Sequence, residues 1–232
     1  MEDVLKFIES SFENNDYLPN RDLLLDAGLS HVEKNSENLD GISLNIYKPV
    51  GAIVDNSYKL LYSCIGEGES KLSDDKFVEA LDSLMGKKKL IIVTFNPSSV
   101  KNASKDIAQI EQYVEKSLSV SINKDSRFAF AYGKEMATIY QQITGDNATI
   151  SKLFSLDADW GENSNASSSV SYYLFIGDGG TNYKSMSDLF VKCRIANTSV
   201  QYRVYNGDDE INSVQNGIHM MCSFLAQNLN NI

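Results

Sequence analysis

The stretch LIIVTF, Leu90 to Phe95, is apolar at every position but Thr94, with no alternation between its two sides. A strand can carry such a run only when both of its faces are covered, which is the situation of a central strand in a parallel sheet. Helical patterns flank it. Before it, Phe77, Ala80, Leu81 and Leu84 recur at helical spacing, with Ser73 placed to cap that helix and Gly86 to stop it. After it, Ser104 opens a pattern that turns Ile107, Ile110, Val114 and Leu118 inward.

The same alternation continues toward the C-terminus. FAFA (Phe128 to Ala131) predicts a buried strand, and the tight turn and helical pattern of YGKEMATIYQQ follow it. KLFSL (Lys152 to Leu156), YYLFIG and VQYRVY predict three more strands. Ser185-Met-Ser-Asp188 reads as a capping box before Leu189, Phe190 and Cys193. The last helix carries Val214, Ile218, Met221, Leu225 and Leu229 at spacings of three and four. Upstream, Ile42, Leu44 and Ile46 alternate with polar neighbours, and YKLLYSCIG follows after about ten residues. That connection is too short for a crossover helix, so these two strands are expected to be antiparallel neighbours. The expected architecture is a three-layer α/β sandwich: a mostly parallel sheet, covered on both faces, with an antiparallel pair at its start. Residues 1–40 read as an N-terminal extension and residues 41–232 as one domain. In the extension Val4, Leu5, Ile8 and Phe12 share one helical face, and Asn14 to Asp40 is left irregular.

Several function classes are disfavoured by composition. A net charge of -10, with its positives scattered apart from Lys87-Lys88-Lys89, argues against nucleic acid and anionic membranes as partners. The opening MEDVLKFIESSFENNDY has neither a basic region nor an uninterrupted apolar run. No signal peptide or membrane anchor is expected, and the location expected is cytoplasmic. Cys64, Cys193 and Cys222 sit in apolar segments without metal-type spacing and read as buried reduced thiols. GEGESK (Gly66 to Lys71) lacks the second glycine and the Ser/Thr of a phosphate loop, and GDGGTN lacks dinucleotide spacing. With only two histidines, His31 and His219, and no matching cysteines, a zinc site is not expected. Asp157, Asp159, Asp208, Asp209 and Glu210 could offer oxygens to Mg²⁺ or Ca²⁺, but caps of turns and helices use the same residues. No cofactor and no metal is expected.

In an open α/β sheet a ligand sits at the carboxyl ends of the strands. The turn after FAFA has the shape on which hydrolases mount a nucleophilic serine, yet its tip reads Tyr132-Gly133-Lys134. The order of pieces resembles the α/β-hydrolase superfamily, closest to its esterase D-like branch, from about Ile42 to Leu229. LNIYKP before LLYSCIGEGE, then DSRFAFAYGKEMA (Asp125 to Ala137), KLFSLDADW, LFIGDGG and VQYRVYNGDDEINSVQNGIHMMCSFL stand where that branch has its motifs. By this resemblance the serine position falls on Lys134, or on Gly133 with a turn one residue shorter. The base falls on Asp209 and the acid on Asp178, while the family's first histidine-glycine pair falls on Ile65-Gly66. The cleft would be lined by Gly66, Glu67, Tyr132, Gly133 and Trp160.

An aspartate cannot relay a serine proton at neutral pH unless its pKa is strongly raised, and losing the serine or the histidine costs on the order of 10⁶ in turnover. The expectation is an esterase-like protein without its Ser-His pair, binding an unidentified small molecule or protein. The alternative is a hydrolase of small esters built around Lys134, Asp178 and Asp209.

Overall fold

The computed structural model describes residues 32–50, 57–65, 72–133, 150–161, 165–177, 182–205 and 210–230. In chain order these form β1 (Val32–Leu39), β2 (Ile42–Pro49), β3 (Ser57–Ile65), α1 (Asp74–Lys88) and β4 (Leu90–Phe95). A short 3-10 turn (Pro97–Ser99), α2 (Ala103–Leu118), β5 (Ser121–Gly133) and β6 (Lys152–Ala158) come next. The remainder is β7 (Ser171–Gly177), α3 (Tyr183–Ile195), β8 (Val200–Tyr205) and α4 (Glu210–Asn230). The eight strands make one sheet in the order β1-β2-β4-β3-β5-β6-β7-β8. Strand β2 is antiparallel to both of its neighbours, and from β4 to β8 every pairing is parallel. The fold is thus the expected α/β sandwich.

Each face of the sheet has its own core. On one, Phe77, Leu81 and Leu84 of α1 and Met221, Cys222 and Leu225 of α4 pack on Leu61, Ile92, Phe130 and Phe154. Phe77 stacks on Phe130 with ring centroids 4.1 Å apart. On the other, Ile107, Ile110 and Val114 of α2 and Met186, Leu189 and Cys193 of α3 cover Leu60, Tyr62, Ile91, Val93 and Leu174. All six residues of β4 are buried, as its uninterrupted apolar run requires. The three cysteines are buried and free.

Some sequence-based expectations need correction. Strands β2 and β3 are not neighbours, because β4 lies between them. The short connection fixes the reversal of direction but not adjacency, and β4 pairs with β2 on one side and β3 on the other. The segment left irregular contains β1, which pairs with β2 along all eight residues. Its six central positions are exposed and polar, so it has no apolar alternation to betray it. The turn does betray it: Asp40-Gly41 joins two strands, with φ of 52° and 89° as a two-residue type I′ hairpin demands.

Helix ends also differ from the reading. Gly86 does not stop α1, which runs to Lys88 and closes on a left-handed Lys89. Asn102, rather than Ser104, caps α2 by accepting the Lys105 N–H. Ser73 does cap α1, accepting the Lys76 N–H at 3.4 Å. Helix α3 begins at Tyr183, which puts Ser185 inside it and not at a capping box.

Candidate functional site

The parallel strands deliver their carboxyl ends to one edge. There β5 ends at Gly133 (φ 84°), and the pairing with β6 slips by one residue, from Tyr132 opposite Leu156 to Gly133 opposite Ala158. Asp157 is the extra residue and takes a left-handed backbone, φ 43°. The Asp159 N–H then donates to the Gly133 carbonyl at 2.8 Å, and Asn182 donates its side-chain N–H to the Asp157 carbonyl at 2.8 Å. Two left-handed residues side by side bend both strand ends away from regular pairing, as bulges beside functional edges commonly do. Gly133 needs its glycine for that φ.

Trp160 locks this edge to α3. Its indole N–H donates to Ser155 Oγ at 3.0 Å, the Ser155 hydroxyl reaches Met186 Sδ at 3.2 Å, and the Trp160 backbone N–H donates to Ser185 Oγ at 2.7 Å. With Trp160 1% exposed, its indole is a strut between β6 and α3. Tyr132, 2% exposed, packs in the core under α1 and α4. Of the residues expected at the cleft, Tyr132, Gly133 and Trp160 are thus described, and all three stand at the carboxyl ends of β5 and β6. Lys134, Asp178, Asp209, Gly66 and Glu67 lie outside the described residues, as do His31 and Asp208. The described strands β5, β7 and β8 end at Gly133, Gly177 and Tyr205, immediately or closely before Lys134, Asp178 and Asp209 in the chain. His219 is on the exposed side of α4.

A second polar group, unread in the sequence, gathers where α1 begins. Thr94 of β4 donates to Asp74 Oδ2 at 2.5 Å, and Tyr47 of β2 donates to Asp75 Oδ1 at 2.8 Å. Lys34 of β1 pairs with the same Asp75 oxygen at 2.8 Å. Burial pushes the Asp74 carboxyl above its ordinary range, whereas the Lys34 and Tyr47 hydrogen bonds hold Asp75 below it. Burial, then Asp75, raises the Tyr47 phenol. Ser63, directly opposite Thr94 in β3, is fully buried, and its Oγ has no hydrogen-bond partner among the described residues. The signal in the sequence was Asp74-Asp75 directly after a capping serine, where two acids favour a helix N-terminus.

Chemically, three of the described hydroxyls at this edge are committed to structure: Ser155 and Ser185 to Trp160, Thr94 to Asp74. Among the described residues no hydroxyl or thiol is hydrogen-bonded to a histidine side chain, and no group of three or more His, Cys, Asp or Glu side chains is placed to hold a metal ion. No described helix is long and apolar enough to cross a membrane.

Neither a family model nor a curated protein sequence matches the chain. Solved structures do. A mutant of the feruloyl esterase module from Clostridium thermocellum, complexed with sinapinate, superposes with a TM-score of 0.65 at 15% identity, covering 90% of this chain and 93% of that one. The Francisella virulence factor BioJ gives 0.63 at 11% identity over 97% and 98% of the two chains. FphF, a fluorophosphonate-binding serine hydrolase of Staphylococcus aureus solved with substrate bound, gives 0.59 at 12% identity over 84% and 99%. The chain has the α/β-hydrolase fold. Its neighbours in that fold include esterases that match over most of their length. At these identities the likeness carries the framework alone.

Proposed function

We propose that this is an esterase-like α/β-hydrolase-fold protein without the Ser-His pair, which binds a ligand or partner at the carboxyl edge of its sheet without turning it over. One observation carries the reading: β5 ends at a left-handed Gly133, as a strand leading into a nucleophile turn would, and the next residue in the chain is Lys134, not a serine. The residues that follow β8 are Asn206, Gly207, Asp208 and Asp209, with no histidine to act as base. A nucleophile without a base hydrogen-bonded to it retains only the small rate that binding and oxyanion stabilisation supply. No described contact favours the alternative of catalysis by Lys134, Asp178 and Asp209.

FphF is named as fluorophosphonate-binding, and the corresponding probe gives the sharpest test. The full chain should show no labelling by a fluorophosphonate and no hydrolysis of a panel of p-nitrophenyl esters or of a sinapate ester. Turnover that disappears in Lys134→Ala or Asp209→Asn would reverse the proposal and establish the alternative constellation.

A further inference from the structure

Among the described residues the large apolar side chains left exposed are Val50, on its own, and Tyr183, Val191, Ile195 and Val204, all on α3 and the adjoining edge strand β8. Tyr183, Val191 and Ile195 follow one another at multiples of four, so they form a single stripe along the helix, and Ile195 is 80% exposed. Scattered exposed apolar residues need no explanation, but a stripe on one helix beside the last described strand of the sheet does. The same helix is basic in a chain of net charge -10: it carries Lys184, Lys192 and Arg194 against a single acid, Asp188. An occupant should therefore be acidic and amphipathic. A second copy docked through the same face would set these cations against themselves.

We propose that this face is covered by the chain's own residues 1–31. That segment contains seven acids against two bases, and Val4, Leu5, Ile8 and Phe12 fall on one side at helical spacing. Its point of attachment is favourable. β1 runs parallel to β4, so Val32 lies at the amino edge of the sheet, and α3, which returns from β7 to β8, ends at that same edge with Arg194 and Ile195. The two outer strands are seven spacings apart, about 34 Å. The residues between Phe12 and Val32 can extend to roughly 60 Å, which leaves ample slack. Apolar contact along Val191 and Ile195, with acids opposite Lys192 and Arg194, is the arrangement that follows.

Two measurements on the full chain test this. Mild oxidation of the Ile8→Cys, Ile195→Cys double variant should give mostly an intrachain disulfide, while Ile8→Cys with Glu79→Cys, on the opposite layer, should not close. Interchain dimers, equal closure of the control, or no disulfide at all would each overturn the proposal. The native thiols are buried and do not compete. Separately, Val191→Asp with Ile195→Asp alters only exposed positions and should leave circular dichroism unchanged. It should speed tryptic cleavage after Lys6, within the docked stripe, about tenfold, because cleavage there follows the undocked population. An unchanged rate refutes the docking, whatever the ester and probe assays show.

Discussion

Gly41 shows how a single residue can determine an element. Apart from Gly41 itself and its two chain neighbours, no atom lies within 4 Å of the position a Cβ would occupy there, so space is not the constraint, and φ of 89° is. Gly41→Ala should therefore cost about 1–2 kcal/mol through backbone strain alone, read as a lowered urea midpoint with an unchanged slope. Asp74 and Asp75 show a different residue-scale effect, since adjacent carboxyls are moved in opposite directions. Asp74 keeps its proton to higher pH in the folded protein than in the unfolded chain. Its contribution to stability is fully present below the unfolded value, near 3.9, and is lost as the pH rises through the raised folded value. Asp75, held low, contributes above that unfolded value and loses its contribution as the pH falls through the folded one. Because Asp75 is largely exposed, its part is screened. Asp74→Asn should thus flatten the decline in stability from about pH 4 towards neutrality, and equal declines in variant and parent would contradict this account. Neither effect could be read from residue types. Two adjacent aspartates look alike until Thr94, Tyr47 and Lys34 are placed around them.

At the scale of elements, α2 is attached to the sheet by a buried polar network as well as by its apolar stripe. Glu111 of α2 pairs with Arg127 of β5 and accepts the Tyr62 hydroxyl of β3 at 3.1 Å. Both charged side chains are more than four-fifths buried. Glu111→Ala would leave the Arg127 guanidinium without its carboxylate and should cost about 3 kcal/mol, whereas replacing both with methionine should restore much of the loss. A double-mutant cycle in urea measures this, and additive single losses would rule the coupling out. The elements themselves were largely legible: the apolar run of β4, the stripe of α2 and the spacing of α4 each named their own structure. The exception was β1, whose polar central positions follow from an edge strand facing water on both sides. The ends of helices were harder to place, because Gly86 and Ser185 suit terminal roles by type while the continuing backbone hydrogen bonds assign them others.

For the whole molecule, the alternation of strands and helices sufficed to predict a covered parallel sheet, but not its order. Adjacency of β2 and β3 looked natural from a short connection, but β4 pairs antiparallel with β2 and parallel with β3 and so separates them. The carboxyl edge was legible as a place through the ends of β5, β6, β7 and β8. The role of Trp160 was not, since an aromatic at a strand end reads equally well as a cleft wall or as a strut to α3. The strand order has a consequence for biogenesis. β3 is flanked by β4 and β5, both of which leave the ribosome after it. Its segment YKLLYSCI, six of whose residues end up buried, must wait for about 30 further residues before a first partner exists, roughly 2 to 6 seconds at ordinary elongation rates. During that interval it is a short, β-prone, nearly uncharged stretch of the kind that chaperones capture and aggregates recruit. The nascent chain is thus most vulnerable while the future centre of its sheet is still unpaired.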